Sequence, residues 1–250
     1  MKGLLAAIQF LTICPLPRGL QPDEQALGRS LPFFPVVGLL IGAAVSLADW
    51  GLGRLFPCPV TSVLAVILLI AASGGLHLDG LADTADGFFS ARPRERILDI
   101  MRDSRIGSMG VATIVSVVAL KIALVASVPG PWRFWVLLLM PVAGRCALLV
   151  HLALLPYARP EGGLADLFHA NRSRGHLLWA FLFLLGSGWL SGGWPGMAAG
   201  AAAFVLTLPL AAWSLRKIGG LTGDTLGAAC ELTELAPALV AAALLRGGAQ

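Results

Sequence analysis

Long uncharged runs of apolar residues dominate the chain, and short polar segments separate them. The clearest runs extend from Leu55 to Leu76 and from Leu177 to Leu215. A helix needs roughly 20 apolar residues to cross about 30 Å of hydrocarbon, so the first run fits one crossing and the second fits two. The pattern therefore predicts an all-α, polytopic integral membrane protein.

About seven membrane-spanning helices are predicted, with ends placed to within roughly two to four residues. No internal repeat divides the chain, so residues 1–250 are expected to form a single membrane-embedded domain. The apolar segment Met1–Pro17 lacks a small-residue cleavage site and is expected to be a retained interfacial or re-entrant helix. The predicted spans are Phe33–Trp50, Val60–Leu76, Gly107–Val128, Phe134–Pro156, Leu177–Ser191, Pro195–Leu215 and Leu226–Leu245.

Composition supports a lipid environment. Hydrophobic residues make up 57% of the chain and charged residues only 13%, with a mean hydropathy of +0.81. So few charges do not cover the surface of a soluble domain of this length. The net charge of +4 would suit a nucleic-acid binder. However, the basic residues lie in short loops rather than along one helix face, so no nucleic-acid partner is expected.

The distribution of basic residues predicts the orientation of the chain in the membrane. Alternating seven crossings places most arginines and lysines on the side of the N-terminus and leaves only Arg54, Arg133 and Arg246 opposite. Because basic loops are retained in the cytoplasm during insertion, the N-terminal side is predicted to be cytoplasmic.

Three aspartates follow the second predicted span. Asp79, Asp83 and Asp86 stand at i, i+4 and i+7, which places them on one face of a helix. Like charges there repel one another unless a cation lies between them, and Mg²⁺ prefers carboxylate oxygens together with phosphate oxygens. The segment therefore predicts an Mg²⁺ site, with a solvated acidic face as the alternative. The adjoining His77 is either a general base or a hydrogen-bonded helix end.

A second polar group lies between this segment and the next span. Arg102 and Arg105 are predicted to bind phosphate, because a guanidinium group binds phosphate oxygens bidentately. Asp103, between them, is expected to join the metal-binding carboxylates.

A third group comes late in the chain. Asp224 precedes Glu231 and Glu234, which fall roughly on the same helix face and about 10 to 15 Å further along the helix axis. Acidic residues at that depth need a polar cavity, a metal or a basic partner. Arg145, alone in its span, is the expected partner, either in a structural ion pair or in a substrate site. All three groups fall on the predicted cytoplasmic side.

Carboxylates around a hard metal ion, with arginines and glycine-rich turns nearby, favour phosphoryl or nucleotidyl transfer. No Ser-His-Asp spacing, Walker motif or GxGxxG motif indicates another chemistry.

Four segments carry a resemblance to a known family. Leu31–Gly38, His77–Gly87, Met101–Gly107 and Leu221–Gly227 resemble, in order, segments of the cobalamin synthase family, also called adenosylcobinamide-GDP ribazoletransferase. The resemblance extends over most of the chain.

This resemblance implies a multi-pass, Mg²⁺-dependent enzyme of the inner membrane that acts late in vitamin B12 synthesis. Such an enzyme joins adenosylcobinamide-GDP to α-ribazole, a benzimidazole nucleoside, or to its 5′-phosphate. The products are adenosylcobalamin or its 5′-phosphate, and GMP. Whether the acceptor is phosphorylated, and whether subunits form a homo-oligomer, is left open by the sequence.

The residues and the resemblance together give three sets of expected site residues, in an active site that faces the cytoplasm. The expected metal ligands are Asp79, Asp83, Asp86, Asp103 and Asp224. The expected catalytic residues are His77, Asp79, Asp83, Asp86 and Asp103. The expected substrate-binding residues are Arg102, Arg105, Arg145, Glu231 and Glu234.

Two other functions compete with this one. A CDP-alcohol phosphotransferase signature also begins with an Asp-Gly pair such as Asp79-Gly80, but the Ala-Arg pair that should follow is missing. A cation-coupled transporter would use Glu231, Glu234 and Arg145 as an ion path, but the sequence has neither related halves nor an evident midplane acidic cluster.

Overall fold

A computed structural model describes residues 2–17, 22–159 and 164–246 of the chain. Within these residues every regular element is helical, apart from one isolated parallel bridge between Tyr157 and Leu221. The all-α prediction is therefore confirmed. The α-helices are α1 Lys2–Leu11, α2 Glu24–Gly28, α3 Phe34–Leu52, α4 Cys58–Ala72, α5 Leu76–Phe88, α6 Arg94–Ile100, α7 Ser108–Ser127, α8 Gly130–Leu154, α9 Leu164–Ala170, α10 Arg174–Ile218, α11 Gly223–Thr233 and α12 Ala236–Arg246.

Five of the described helical segments are long and apolar enough to cross a membrane, and the number is six if α4 and α5 count as one bent span. This agrees with a polytopic membrane protein, although the predicted count of seven is not confirmed. The N-terminal segment forms α1, which is apolar but too short to cross a bilayer. The five segments are Leu31–Leu52, Ser108–Ser127, Gly130–Leu154, Arg174–Ile218 and Gly223–Leu244.

The second predicted span is shorter than expected, because the chain bends before Leu76. Helix α4 ends at Ala72, and α5 leaves at 89° to it. Gly74 and Gly75 occupy the bend with φ of +62° and +77°, a left-handed conformation that glycine adopts without steric cost. Helix α5 therefore turns away from the direction of α4 instead of continuing it.

Helix α10 contains the fifth and sixth predicted crossings, Leu177–Ser191 and Pro195–Leu215. Gly193, with φ of 59° and ψ of −142°, interrupts the helical geometry near its middle. A Cβ atom on Gly188 would collide with the backbone of Gly196, and one on Gly200 would lie 2.5 Å from the carbonyl oxygen of Leu184. The two limbs of α10 therefore lie side by side as a hairpin, packed through small residues as membrane helices commonly are.

Helix α8 is the centre of the bundle. Every residue from Leu139 to Leu152 is buried, and α8 packs against α3, α10, α11 and α12. Gly38 of α3 lies so close to α8 that a Cβ atom there would be 2.6 Å from the carbonyl oxygen of Pro141. The surrounding helices are thus held against one apolar core.

A buried ion pair joins four helices at one end of the bundle. The Arg133 guanidinium group donates to both carboxylate oxygens of Asp49, at 2.7 Å each. It also donates to Ser62 Oγ at 3.1 Å and to the Val125 carbonyl oxygen at 2.7 Å. Arg133 was predicted only as an outer basic residue, but it lies buried in the first turn of α8 and connects that helix to α3, α4 and α7.

A second buried network lies deeper in the bundle. Lys121 of α7 forms an ion pair with Glu231 of α11. It forms a second one, at 2.7 Å, with Glu234, which lies in the turn after α11. Arg145 of α8 donates to the other oxygen of Glu234. The predicted pairing of Arg145 with an acidic residue is therefore confirmed for Glu234. Two cations face two carboxylates, so the network balances its charge.

Close contact between glycines brings α5 against α11. A Cβ atom on Gly80 would lie 2.8 Å from the carbonyl oxygen of Asp224, and one on Gly227 would lie 2.9 Å from that of His77. The absence of side chains at both positions lets the two backbones touch. This contact joins the acidic segment near residue 80 to the late segment near residue 224.

The Lys121 network predicts a stability cost for removing one charge. We expect Lys121→Met to destabilise the protein by about 3–5 kcal/mol, because it leaves buried carboxylates without their cation. Thermal unfolding of the detergent-purified protein measures this. Lys2→Met is the matched control, since the one ion pair of Lys2 within the described part of the chain is exposed and 3.9 Å long. Equal unfolding temperatures for the two variants would contradict the role of the network.

The glycine contact predicts a second effect. We expect Gly80→Ala to lower the unfolding temperature, because the added methyl group would meet the Asp224 backbone and push α5 from α11. Gly186→Ala is the control, because a Cβ atom there meets nothing within 4 Å. A control variant less stable than Gly80→Ala would contradict this account.

Candidate active site

The acidic face of α5 forms as the spacing predicts. Asp79 is exposed and Asp83 is half-buried, and neither forms a hydrogen bond or an ion pair with another described residue. Asp83 lies close enough to Asp79, Asp86 and Asp224 to interact electrostatically with all three. Two carboxylates are therefore held one helical turn apart with their oxygens available to a ligand.

Asp86, the third member of this face, has backbone partners. Its carboxylate accepts from the N–H groups of Gly107 at 2.7 Å and Gly110 at 2.8 Å, at the start of α7. A carboxylate there is favourable because the first N–H groups of a helix have no partner within it. Asp86 thus ties α5 to α7, and its predicted role as a metal ligand stays a prediction.

Asp224 reaches the same region in the first turn of α11. Its Oδ2 atom accepts from the Arg159 guanidinium group at 2.7 Å and from Thr222 Oγ1 at 3.3 Å. Thr222 also caps α11, because its side chain accepts from the Thr225 backbone N–H. The predicted meeting of the early and late carboxylates is therefore seen in the structure, and Arg159 lies beside them.

Arg159 is held by a short backbone pairing that the sequence analysis missed. The Ala158 N–H donates to the Leu221 carbonyl oxygen at 2.8 Å, and Arg94 donates to the carbonyl oxygens of Ala158 and Ile218 at 2.8 and 2.7 Å. The sequence predicted Arg159 only as a basic residue of the N-terminal side, and Arg94 as such a residue that could also form a simple ion pair with a nearby carboxylate. The one signal in the sequence for their role near the site was that both arginines fall on the same predicted side of the membrane as the carboxylates.

The loop between α6 and α7 holds the second predicted group. The Arg105 guanidinium group donates to both oxygens of Asp103, at 3.0 and 2.7 Å. These hydrogen bonds lower the pKa of Asp103 to about 2 and raise the pKa of Arg105. The pair therefore stays ionised at neutral pH. Its contribution to folding stability is complete above the ordinary pKa of a carboxyl group and is lost as the pH falls through about 2. Arg102 is exposed in the same loop.

The structure places Arg145, Glu231 and Glu234 away from the surface. They are 2%, 4% and 3% exposed, and each is paired within the buried network. Their predicted role in substrate binding stays a prediction, and the contacts seen are structural. Lys121 was missed, although it is the one charged residue within the span predicted at Gly107–Val128.

A cavity of about 170 Å³ opens beside the carboxylates. Asp79, Asp224 and His77 line it, together with apolar side chains. His77 is buried, and its Nδ1 atom has no hydrogen-bond partner among the described residues. The second alternative considered for His77, a hydrogen-bonded helix end, is not seen for that atom.

The carboxylates of α5 and α11 can supply part of the coordination shell of Mg²⁺. Among the described residues, no three acidic, histidine or cysteine side chains converge closely enough to hold a metal ion by themselves. Mg²⁺ commonly takes one or two protein carboxylates and completes its shell with water and substrate phosphate. Asp79 and Asp83 supply that number and kind of donor, with Asp224 nearby. The donor set therefore fits Mg²⁺ bound together with a phosphorylated substrate.

Comparison with known proteins identifies the family. The chain matches the cobalamin-5-phosphate synthase family (CobS) over residues 3–242. A relative from Roseiflexus sp. is 42% identical over 92% of this chain and 85% of its own length. Relatives from Acetivibrio thermocellus and Herpetosiphon aurantiacus are each 40% identical, covering 94% and 98% of both chains.

All three relatives are named adenosylcobinamide-GDP ribazoletransferase. No solved structure matches the chain. The family match covers nearly the whole length and includes the helices that carry the carboxylates. The chain belongs to the cobalamin-5-phosphate synthase family.

Proposed function

We propose that this chain is an adenosylcobinamide-GDP ribazoletransferase. It transfers the cobinamide phosphate of adenosylcobinamide-GDP to α-ribazole or α-ribazole 5′-phosphate and releases GMP. The observation that carries the proposal is the meeting of Asp79 with Asp224 at one cavity, with Asp83 one helical turn from Asp79 and close to both, in a chain of this family. Carboxylates gathered in this way suit a reaction at a pyrophosphate.

Asp79 and Asp83, with Asp224, would hold Mg²⁺ when substrate is present. Bound there, Mg²⁺ supplies positive charge to the pyrophosphate oxygens. Asp86 and Asp103 complete the proposed acidic set, although Asp86 is occupied by backbone N–H groups and Asp103 by Arg105.

The arginines around the carboxylates would bind phosphate. Arg102 and Arg105 lie in an exposed loop, and Arg159 holds the carboxylate of Asp224. Guanidinium groups stabilise negative charge that develops on a departing phosphate. We therefore assign binding of the GMP phosphate to this group of arginines. Arg145, Glu231 and Glu234 would support the site indirectly, because their ion pairs fix the position of α11.

The reaction forms one bond and breaks one. A hydroxyl oxygen of the acceptor nucleoside bonds to the phosphorus that carries cobinamide, and the bond from that phosphorus to the oxygen of GMP breaks. The hydroxyl proton passes to an aspartate of the acidic face or to His77; Asp79 of that face and His77 both line the cavity.

The membrane position follows the same proposal. We infer a multi-pass protein of the inner membrane whose site faces the cytoplasm, because basic residues flank the carboxylates. The two competing functions are not favoured. The family match points away from a CDP-alcohol phosphotransferase, and the paired, charge-balanced network of Lys121, Arg145, Glu231 and Glu234 does not resemble an open ion path.

The function is tested by product analysis. Purified protein in detergent or liposomes is incubated with adenosylcobinamide-GDP, α-ribazole and Mg²⁺, and chromatography follows the cobamide and GMP. We expect equal amounts of the two products, and none with EDTA. A CDP-alcohol serves as the competing donor, and release of CMP in place of GMP would overturn the proposal.

The metal assignment is tested by Asp83→Asn at limiting Mg²⁺. We expect product formation to fall by at least roughly 10- to 100-fold, because that is the range for losing a residue that only supports a metal ligand and Asp83 is proposed as a ligand itself. Excess Mg²⁺ should restore part of the rate. Asp99→Asn is the matched control, because Asp99 is exposed and its side chain pairs, among the described residues, only with Arg96, at 3.6 Å. Full activity of the Asp83 variant in correctly inserted protein would reject this assignment.

A further inference from the structure

The cavity beside the carboxylates has an aromatic wall that the proposed metal chemistry does not use. Phe10 of α1, Phe34 of α3 and Phe168 of α9 line it and contact one another. Their ring centroids are 4.8 Å apart for Phe10 and Phe168, and 5.5 Å for Phe34 and Phe168. Three helices distant in sequence thus bring phenyl rings to one cavity of about 170 Å³.

A buried polar atom lies at the same cavity. His77 lines it and is 4% exposed, yet its Nδ1 atom has no hydrogen-bond partner among the described residues. Native structures leave few buried polar atoms unpaired, and one that lines a cavity can be satisfied by a ligand bound there. The cavity therefore combines flat apolar walls, one unpaired ring nitrogen, and the carboxylates of Asp79 and Asp224.

We propose that this cavity binds the benzimidazole ring of the acceptor nucleoside. The ring would lie against the phenylalanine wall, and its free ring nitrogen would accept a hydrogen bond from Nδ1–H of His77. The attached ribose would then extend toward Asp79 and Asp224, where the phosphoryl transfer is proposed. This inference rests on the proposed function and adds the part of the substrate that the cavity recognises.

The guanine ring of the donor fits the same cavity less well. Guanine carries a carbonyl oxygen, ring N–H and amino groups, and each needs a partner when it is buried. The cavity lining is mostly apolar, and its two carboxylates are the proposed metal ligands. Benzimidazole has one free ring nitrogen and otherwise apolar edges, which matches one unpaired histidine nitrogen among phenyl rings.

The first test compares two phenylalanine variants. We expect Phe10→Leu to raise KM for α-ribazole roughly twofold to tenfold, the range for one aromatic contact, and to leave KM for adenosylcobinamide-GDP within about twofold. Phe181→Leu is the matched control, since Phe181 is also partly buried and contacts another aromatic ring, that of Phe204, within α10.

The outcomes separate this inference from the proposed function. If the wild-type protein is active and Phe10→Leu leaves the KM for α-ribazole unchanged, the inference is overturned and the proposed function is not. A rise confined to the donor KM assigns the cavity to guanine and also overturns it. A wild-type protein that releases no GMP overturns the proposed function, and the inference fails with it.

A second measurement uses the unaltered protein and therefore does not depend on the folding of a variant. An α-ribazole analogue carries C–H in place of the ring nitrogen that is not bound to ribose. We expect its KM to be roughly twofold to tenfold higher than that of α-ribazole, because it lacks the acceptor for His77. Equal KM values for the two nucleosides would overturn the placement of the ring beside His77.

Discussion

The backbone contact between α5 and α11 holds the site together. Gly80 and Gly227 carry no side chain, so the start of one helix lies directly against the other. The contact fixes Asp79 and Asp83 relative to Asp224, although well over a hundred residues separate them in the chain. Any side chain at either glycine would meet the opposing backbone and move both sets of carboxylates. The placement of the candidate-site carboxylates and the packing of α5 on α11 therefore depend on the same two positions.

Charged side chains serve two different purposes in this fold. The network of Lys121, Glu231, Glu234 and Arg145 is buried and internally balanced, so it positions helices without needing a ligand. Such groups are costly when a partner is lost, which makes the arrangement specific. The carboxylates of Asp79 and Asp83 lack described partners and lie nearer the surface. Their like charges leave a favourable place for a cation, so the two groups of acids have opposite electrostatic character.

The sequence predicted the elements whose signals are local. Continuous apolar runs predicted α7 and α8, and the i, i+4, i+7 spacing predicted the face with Asp79 and Asp83. Contacts between distant segments escaped prediction. The capping of α7 by Asp86 uses backbone N–H groups, which have no signature in sequence. Lys121 is a single charge within a long apolar run and leaves the hydropathy pattern unchanged. Arg159 donates directly to Asp224, but the pairing of the Ala158 and Leu221 backbones that places it there has no signature in the sequence.

The order of synthesis gives the Lys121 network another meaning. Its acidic partners Glu231 and Glu234 lie 110 and 113 residues later in the chain. At typical translation rates of about 5–20 residues per second, α7 is made roughly 5 to 20 s before α11. Throughout that interval the ammonium group has none of these partners and must stay near water or the membrane surface. The buried network can therefore form only when the last part of the chain has been made, which ties the final packing of α7 to the end of synthesis.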